Sequence, residues 1–441
     1  KVEYSDDDKR VEFNVKTTLQ DEDHKVIEGE VSQFDIQYAF DAAKTTITAK
    51  SSDGSTSKAG ASLVLPVISP TGEEVRQVSG KRIEITKPEG TSGVVSRLSV
   101  GEQMLYEIGN PRAYLLPDVI CDWSGVTLEQ VGHDRVLVKG AKGLGRTGSY
   151  KVSATHADGW RAVTTLTLAA IDAPAKAERV AEAILKRCRR IFRDRNLGDF
   201  REVSVEVLGA EAAYGANARA QTREVVLKVG VTHDDRSALN IFAGEIAPMA
   251  ISTAQGLTGF FAGRPKVQPV VRLFSFLQDK AETPVAVEVD GKAVPVTQAN
   301  DAVQLDAPAA PALESREAGP NAVKVRLVDL AWGRSGDKGD IANIGILARK
   351  PDYLPYIRST LTETVVKDYF AHLCKGPVER FDLPGTNALN FLLHESLGGG
   401  GIASVRIDPQ GKGFAQMLLD IEIPVPAELA ARDGLHSAES A

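Results

Sequence analysis

A short, charged segment near the C-terminal end of the chain combines residue types that could bind an anion. Gly336 and Gly339 would let backbone amides turn toward a bound group, because neither carries a side chain. Arg334 and Lys338 supply positive charge, and two aspartates supply hydrogen-bond acceptors. A turn of this kind between strands could hold a phosphate or a carboxylate, although a tight hairpin with solvated charges would use the same residues. The full segment is Arg334, Ser335, Gly336, Asp337, Lys338, Gly339 and Asp340.

A run of four glycines occupies residues 398–401. Successive glycines carry a heavy conformational-entropy cost on folding, so the run predicts a specific reason for its presence. One interpretation is a backbone segment that approaches a ligand opposite the 334–340 turn, and the other is a flexible loop between two strands. On the first interpretation, the further ligand-binding residues are Asn343, His394, Gly398, Gly399, Gly400 and Arg406.

Two other groups have residue types suited to acid–base or nucleophilic chemistry. His394 and Glu395 could act as an acid and a base, although a lone His–Glu pair is more often a surface pair. Cys121 lies between Asp118 and Asp122, but no histidine is close in sequence, which favours a structural cysteine. These patterns predict no particular catalytic residue.

The composition limits the classes of protein and partner. The length of 441 residues indicates several domains. The net charge of −7 argues against nucleic acid as a partner, because phosphate binding requires a basic surface. The 3 cysteines lie far apart without a CxxC pair, so neither a disulfide framework nor a metal site is predicted. No apolar run approaches the ~20 residues that span a bilayer, and we expect a cytoplasmic protein without a membrane partner. Because the chain begins with Lys1, the lack of a signal peptide carries little weight.

The elements that must position these residues differ along the chain, and together they predict a multidomain α+β fold. Residues 1–87 alternate apolar and polar side chains, for example over 11–15 and 34–40, which predicts an all-β, sandwich-like segment. Residues 278–321 are rich in Ala, Pro and acidic side chains, which is typical of a linker. The remaining residues belong to a central and a C-terminal domain.

The central domain is predicted over residues 88–277. Ser99 with Glu102 three residues later is typical of a capping box, so a helix is expected to begin there. Longer helices are predicted at about 174–195 and 235–252, and Pro248 should kink the second or end it early. Strands between and after the helices give an α/β layer domain; they are predicted at 135–139, 149–154, 203–208, 224–231 and 270–276.

The C-terminal domain is predicted over residues 322–426, followed by a tail at 427–441. Strand and helix patterns alternate in it, with one helix at about 359–373 and a final strand over 419–423. This order favours a small ferredoxin-like α/β sandwich.

Longer motifs in both domains resemble the acyclic terpene utilisation proteins of the AtuA type. Residues 88–276 resemble the C-terminal half of those proteins, through the motifs KPEGTSGVVSRLSVGEQMLYEIGNPRAYLLPDV, VGHDRVLVKGAKG and GLTGFFAGRPKVQPVV. Residues 322–426 resemble the ferredoxin-fold domain of the same family, through the motifs GDKGDIANIGILAR, NFLLHESLGGGG and SVRIDPQGKG.

This resemblance implies a role in the breakdown of branched acyclic terpenoids such as citronellol and geraniol. Members are typically encoded beside acyl-CoA carboxylases, which implies a branched acyl-CoA, or a related small anionic metabolite, as the ligand. The family brings no established catalytic residue or cofactor, so whether the chain is an enzyme stays open. The implied protein partners are a second copy of the chain or proteins of the acyl-CoA carboxylase pathway. The alternative is a non-catalytic assembly subunit of an acyl-CoA-processing complex.

The N-terminal segment departs from the AtuA pattern. Family members normally begin with a large α/β half, whereas residues 1–87 resemble the C-terminal β-sandwich of heparinase II/III-like polysaccharide lyases. A natural fusion, a gene-model error or a fragment would each give this order. The lyase resemblance implies a further alternative, a polysaccharide-binding or lyase-derived β module fused to an AtuA-like fragment.

Overall fold

The computed structural model describes the chain after residue 82 almost completely, and before it the strands alone. Two compact units are present: residues 1–75, 82–100 and 129–138 form the first, and residues 76–81, 101–128 and 139–441 form the second. The Ala- and Pro-rich stretch 307–311 of the predicted linker lies outside the described residues. The structure describes the strands within 2–57 and residues 83–87, 90–259, 263–295 and 313–438.

Short strands and one short helix make up the chain before residue 149. They are β1 (Val2–Ser5), β2 (Arg10–Val15), β3 (Phe34–Asp41), β4 (Lys44–Lys50), β5 (Thr56–Ser57), β6 (Ile83–Ile85), α1 (Arg97–Met104), β7 (Tyr114–Leu115), β8 (Ile120–Asp122), β9 (Thr127–Gly132), β10 (Arg135–Lys139) and β11 (Lys142–Gly145). The first five strands form one antiparallel sheet in chain order, so the strands predicted at 11–15 and 34–40 are present. Two three-stranded sheets have the orders β6-β10-β9 and β11-β8-β7.

Helix α1 begins two residues before the predicted capping residue. The Ser96 hydroxyl accepts a hydrogen bond from the Ser99 backbone N–H at 3.1 Å, and the Ser99 hydroxyl accepts one from the Ser96 backbone N–H at 2.8 Å. The capping box predicted for Ser99 with Glu102 is therefore wrong. The capping box lies one turn earlier and is formed by Ser96 and Ser99. In it, the Ser99 hydroxyl occupies the position that a Glu or Gln side chain usually occupies.

A five-stranded antiparallel sheet and two helices form the central part of the second unit. Their bounds are β12 (Ser149–Ala169), α2 (Ala173–Asp194), β13 (Glu202–Leu208), β14 (Glu224–His233), α3 (Arg236–Ser252), β15 (Leu257–Gly259) and β16 (Gln268–Asp279). The strand order is β13-β14-β12-β15, and β16 also pairs with β12. Both helices were predicted to within one residue at each end, but α3 continues past Pro248 instead of ending early. A two-stranded hairpin follows, β17 (Val287–Val289) with β18 (Lys292–Val294).

The core of this central part lies between the sheet and the two helices. Val180, Ile184, Cys188 and Phe192 are buried along α2, in the spacing expected of one helical face. They pack with the inward side chains of β12 and β14 and with those of α3. The helices therefore cover one face of the sheet.

The C-terminal part of the second unit contains a four-stranded and a two-stranded antiparallel sheet. Its elements are β19 (Ala322–Arg326), α4 (Leu327–Leu330), β20 (Ala331–Lys338), β21 (Ile341–Ala348), α5 (Leu354–Thr360), α6 (Glu363–Tyr369), β22 (Val378–Leu383), β23 (Ala388–Leu393), α7 (Phe414–Leu418), β24 (Glu422–Pro426) and α8 (Ala427–Asp433). The larger sheet has the order β20-β21-β23-β22, and β19 pairs with β24. Strand β20 is thus an edge strand of its sheet.

Two predicted elements of this domain are wrong in detail. The helix expected at 359–373 is two helices, α5 and α6, which meet at Leu361–Thr362, where the Thr362 side chain accepts a bond from Val365 N–H and caps α6. The final strand begins at Glu422 and not at 419. Leu419 belongs instead to the end of α7, where its N–H bonds to the carbonyl of Ala415.

Among the described residues, no helix is long and apolar enough to cross a membrane.

The buried face of α3 should dominate the stability of the central part. Phe242 is fully buried, so Phe242→Ala should lower the free energy of unfolding by about 3–5 kcal/mol through lost burial and a cavity. Ile251 on the same helix is 90% exposed, and Ile251→Ala should change it by less than about 0.5 kcal/mol. Urea unfolding followed by circular dichroism measures both; equal effects would contradict the assigned packing of α3.

Candidate functional site

The segment 334–340 is mostly strand, and the predicted seven-residue turn is wrong. All residues of β20 pair with β21, from Ala331 opposite Ala348 to Lys338 opposite Ile341. Only Gly339 and Asp340 remain as the turn, and Gly339 takes φ +69°, which favours glycine. Arg334 and Lys338 therefore project from an edge strand, and because they are four residues apart they lie on the same face of it.

Gly336 has a different role from the one its motif indicated. A Cβ at Gly336 would lie 2.5 Å from Cγ of Glu107, and one at Gly345 on β21 would lie within van der Waals radii of Leu105. Both glycines thus allow the segment after α1 to approach the sheet closely. This segment, Leu105–Gly109, covers the face of the sheet that carries Arg334.

Two fully buried asparagines fix that segment. Asn343 Oδ1 accepts a bond from the Glu107 backbone N–H at 2.7 Å, and Asn343 Nδ2 donates to Asn390 Oδ1. Asn390 Nδ2 donates in turn to the carbonyl of Gly109 at 2.9 Å. Glu107 has φ +57°, an unfavourable conformation for a non-glycine residue, and the bond from Asn343 helps to hold it there.

Cationic side chains from two distant parts of the chain meet at Tyr106. The Arg334 guanidinium carbon lies 4.2 Å from the centroid of the Tyr106 ring, and Lys412 Nζ lies 4.6 Å from it. Lys412 Nζ also donates to the Tyr106 hydroxyl and to Glu107 Oε1, and it lies 3.7 Å from Asp337 Oδ1. We call this cluster the Tyr106 site; its members are Tyr106, Glu107, Arg334, Asp337, Lys338 and Lys412.

The charges of the Tyr106 site stabilise one another. Burial raises the pKa of Glu107, but the hydrogen bonds from Lys412 and Tyr106, with the charges of Lys412 and Lys338, lower it below its ordinary value. Burial lowers the pKa of Lys412, but its bonds to Glu107 and Tyr106 raise it above the ordinary value. Both groups are therefore charged at neutral pH. Lys412 and Arg334 remain partly exposed to solvent.

The loop before α7 is tied to β20, which places Lys412. The buried Ser335 hydroxyl donates to the carbonyl of Lys412 at 3.2 Å and accepts from the N–H of Ala415 at 2.9 Å. The Asp408 carboxylate accepts bonds from the N–H groups of Lys412 and Gly413 at 2.9 and 2.8 Å. Ser335 is thus a positioning residue that faces away from Arg334.

The two glycine-containing turns pack directly against each other. Asp340 Oδ1 accepts bonds from the N–H groups of Leu397 and Gly399 at 3.0 and 2.9 Å. A Cβ at Gly400 would lie 2.5 Å from the carbonyl oxygen of Gly339. The amide of Gly399 in the glycine run and that of the preceding Leu397 therefore bind a carboxylate that belongs to the chain itself. Gly398, Gly399 and Gly400 all have positive φ, which explains why the run consists of glycine.

Arg406 and His394 have contacts of their own in the described part of the chain. Arg406 Nη1 donates to the carbonyls of Leu373 and Ser396 at 3.2 and 2.7 Å and thereby fixes the glycine run. His394 Nε2 lies 2.6 Å from Glu379 Oε1 on β22, at the opposite end of the sheet order from β20. The structure thus brings Arg334 together with Lys412 at Tyr106, keeps Lys338 on the same face of β20 as Arg334, and leaves His394 elsewhere.

The cysteine between two aspartates behaves as a structural residue. Cys121 is half-buried on β8, where burial raises the pKa of its thiol above the ordinary value. Asp122 accepts bonds from the backbone and the hydroxyl of Ser124 at 2.9 and 2.6 Å. Within the described ranges, no group of three or more His, Cys, Asp and Glu side chains is placed to hold a metal ion.

Tyr106, Glu107 and Asn390 belong to the site or support it, but no sequence pattern assigned them to it. The sequence Gly109–Asn110–Pro111 is typical of the end of a helix, so it favours a helix for the residues before it over a loop that covers a distant sheet. A polar residue within each of two otherwise apolar strands, Asn343 and Asn390, was the available signal. Buried asparagines at such positions must have partners, and a search for those partners would have led to the segment after α1.

These features define an α+β protein in which a central helix-covered antiparallel sheet is joined to a second, smaller antiparallel domain. Residues 74–289 match the acyclic terpene utilisation family protein AtuA, and residues 325–424 match the AtuA ferredoxin-like domain. The two matched regions cover more than two thirds of the chain, which belongs to the AtuA family. The C-terminal domain is ferredoxin-like, as expected.

The N-terminal residues match a different kind of protein. Residues 1–105 match the C-terminal domain of ulvan lyase, which overlaps the AtuA match over residues 74–105. The lyase-like N-terminal segment expected from the sequence is thus confirmed, with ulvan lyase as the matching family. No curated protein and no solved structure matches the chain.

Membership of the AtuA family implies a role in acyclic terpene utilisation. Both matched regions contribute to the Tyr106 site, because Tyr106 and Glu107 lie in the first, and Arg334, Lys338 and Lys412 lie in the second.

The Glu107–Lys412 pair should make stability depend on pH. The folded-state pKa of Glu107 lies below the ordinary value of 4.5. The ionised side chain therefore adds to the free energy of unfolding above pH 4.5, and this addition is lost as the pH falls through the folded-state pKa. Glu107→Gln should therefore cost up to about 1 kcal/mol at pH 7, and this cost should shrink as the pH falls below 4.5. Urea unfolding across this range tests the effect, with exposed Glu428→Gln on α8 as the control. A constant difference at all pH values would contradict the assigned pair.

Proposed function

We propose that the chain binds a branched acyl-CoA, or a related small anionic metabolite of terpenoid catabolism, at the Tyr106 site. The observation that carries this proposal is the convergence of Arg334 and Lys412 on the Tyr106 ring at the edge strand β20, with Lys338 on the same face of that strand. Family membership supports the setting in acyclic terpene utilisation. Because both family regions supply residues to the cluster, the site depends on the joined protein and not on one domain alone.

The geometry of the cations suits a phosphate or a carboxylate. Arg334 stacks on Tyr106 and donates to Gln103 Oε1 at 3.1 Å, which restricts the plane of its guanidinium group. A restricted guanidinium can donate two parallel hydrogen bonds to an oxyanion, whereas the lysines act as mobile point charges. An incoming anion would replace Glu107 or Asp337 as the partner of Lys412. Binding should therefore weaken as the salt concentration rises.

The glycine run has a supporting role in this proposal. The amides of Gly399 and of the adjacent Leu397 are bonded to Asp340, so the proposed ligand lies along the β20 edge and not between the two turns. Through Asp340 the run holds the end of the β20–β21 hairpin, next to Lys338. The glycines are thus assigned to positioning the strand that carries the cations.

Ligand-dependent melting tests this proposal. Geranyl-CoA and methylcrotonyl-CoA should raise the melting temperature, because a ligand that binds only the folded state adds about 2.7 kcal/mol at a hundredfold excess over Kd. Arg334→Gln and Lys338→Ala should each weaken binding about tenfold or more, the value of a charged hydrogen bond. Lys324→Ala removes an exposed lysine of β19 and is the matched control.

The ligand series separates the possible outcomes. Free CoA and the free branched acids, tested beside the thioesters, tell which part of the ligand carries the binding. No shift with any of these compounds would refute the proposal, as would an equal shift in the wild type and the Arg334→Gln variant.

One finding favours polysaccharide binding as a second candidate function. Residues 1–105 match the C-terminal domain of ulvan lyase, and β1–β5 form a continuous antiparallel sheet. Under this proposal the full chain should migrate more slowly in a native gel that contains ulvan than in one without it. Unsaturated uronate detected by ultraviolet absorbance would add lyase activity, and unchanged migration without such absorbance would remove this candidate.

A further inference from the structure

A two-stranded ribbon extends from the central sheet. Strand β16 pairs with β12 from Ser149 opposite Asp279 to Ala157 opposite Val271, whereas β14 pairs with β12 only from Trp160 onward. Residues 149–157 and 271–279 therefore form a ribbon of two strands. Among the described strands, none pairs with the outer edge of β16, so its backbone donors and acceptors on that side are open.

The ribbon exposes apolar side chains on both faces. Val271, Leu273 and Leu277 alternate with Phe274 and Phe276, and their exposed fractions range from 38% to 69%. Each face of the ribbon therefore carries at least two partly exposed apolar side chains beside the free edge of β16.

The sequence of this edge is the same in both directions. Residues 273–277 read Leu-Phe-Ser-Phe-Leu, with Ser275 at the centre. In an antiparallel pair of two such strands related by a two-fold axis at Ser275, Leu273 would lie opposite Leu277 of the second copy. Phe274 would lie opposite Phe276 in the same way. An isologous two-fold interface requires this kind of self-complementary surface.

We infer that the chain forms a homodimer in which β16 pairs antiparallel with β16 of a second copy about Ser275. The two ribbons become one four-stranded sheet. Leucine pairs line one of its faces and phenylalanine pairs line the other. Aromatic and aliphatic cross-strand pairs stabilise antiparallel sheets, and the pairing satisfies the open backbone groups of both edges.

Charge reversal across the two-fold axis tests this interface. The wild type should sediment as a dimer at micromolar concentration. Leu273→Lys combined with Leu277→Lys places lysines opposite each other and should give monomers, as should the same two positions changed to Glu. A mixture of the Lys and Glu variants should restore a one-to-one dimer, because each lysine then faces a glutamate. Ile251→Lys, on the exposed face of α3, is the control and should stay dimeric.

A cross-link tests the register. Ser275→Cys should form a disulfide-linked dimer under mild oxidation, because residues directly opposite in an antiparallel pair are close enough for a disulfide. Ser153→Cys is the matched control: Ser153 pairs with Ser275 inside the ribbon, so its copies would lie three strand spacings apart, about 14 Å. A monomeric wild type, a double-Lys variant that stays dimeric, or equal cross-linking of both cysteine variants would each overturn the inference.

Discussion

The hydrogen bonds of two buried asparagines hold the parts of the candidate site together. Asn343 and Asn390 sit side by side on the central strands of the C-terminal sheet, fully removed from water. An unpaired buried amide costs about 1–3 kcal/mol, so each of these side chains specifies a partner. The partners are backbone groups of Glu107 and Gly109, which belong to the other AtuA-matched region. Two apolar residues at positions 343 and 390 would pack against this segment, but they would not require its backbone to lie in this particular position.

The site follows from that constraint. Once Glu107 N–H bonds to Asn343, the preceding Tyr106 lies over the face of β20 that carries Arg334, at a place where Gly336 leaves room. Lys412 arrives independently, because Ser335 and Asp408 hold the backbone around it. The cluster therefore combines a rigid aromatic ring with cations whose backbone positions are fixed by neighbouring hydrogen bonds.

Much of this fold could be predicted from periodicity, and the site only in part. Helices α2 and α3 were located because their apolar residues repeat along one face over many turns. The 334–340 segment was assigned wrongly because glycines in a charged sequence are typical of turns, whereas Gly336 is needed for close approach of Glu107. The prediction of a single helix at 359–373 was wrong for a local reason. Thr362 caps a new helix in the middle of the apolar pattern that suggested one continuous helix. No local pattern connects Tyr106 to Arg334, so that contact needed the structure.

The Tyr106–Lys412 contact joins residues 306 positions apart in the chain. Contacts of such long range form late in folding, after the domains on either side have ordered the backbone between them. During synthesis, therefore, the cluster cannot exist until Lys412 has left the ribosome. Any ligand that it holds would therefore stabilise only chains in which both matched regions have folded, and not a nascent first region.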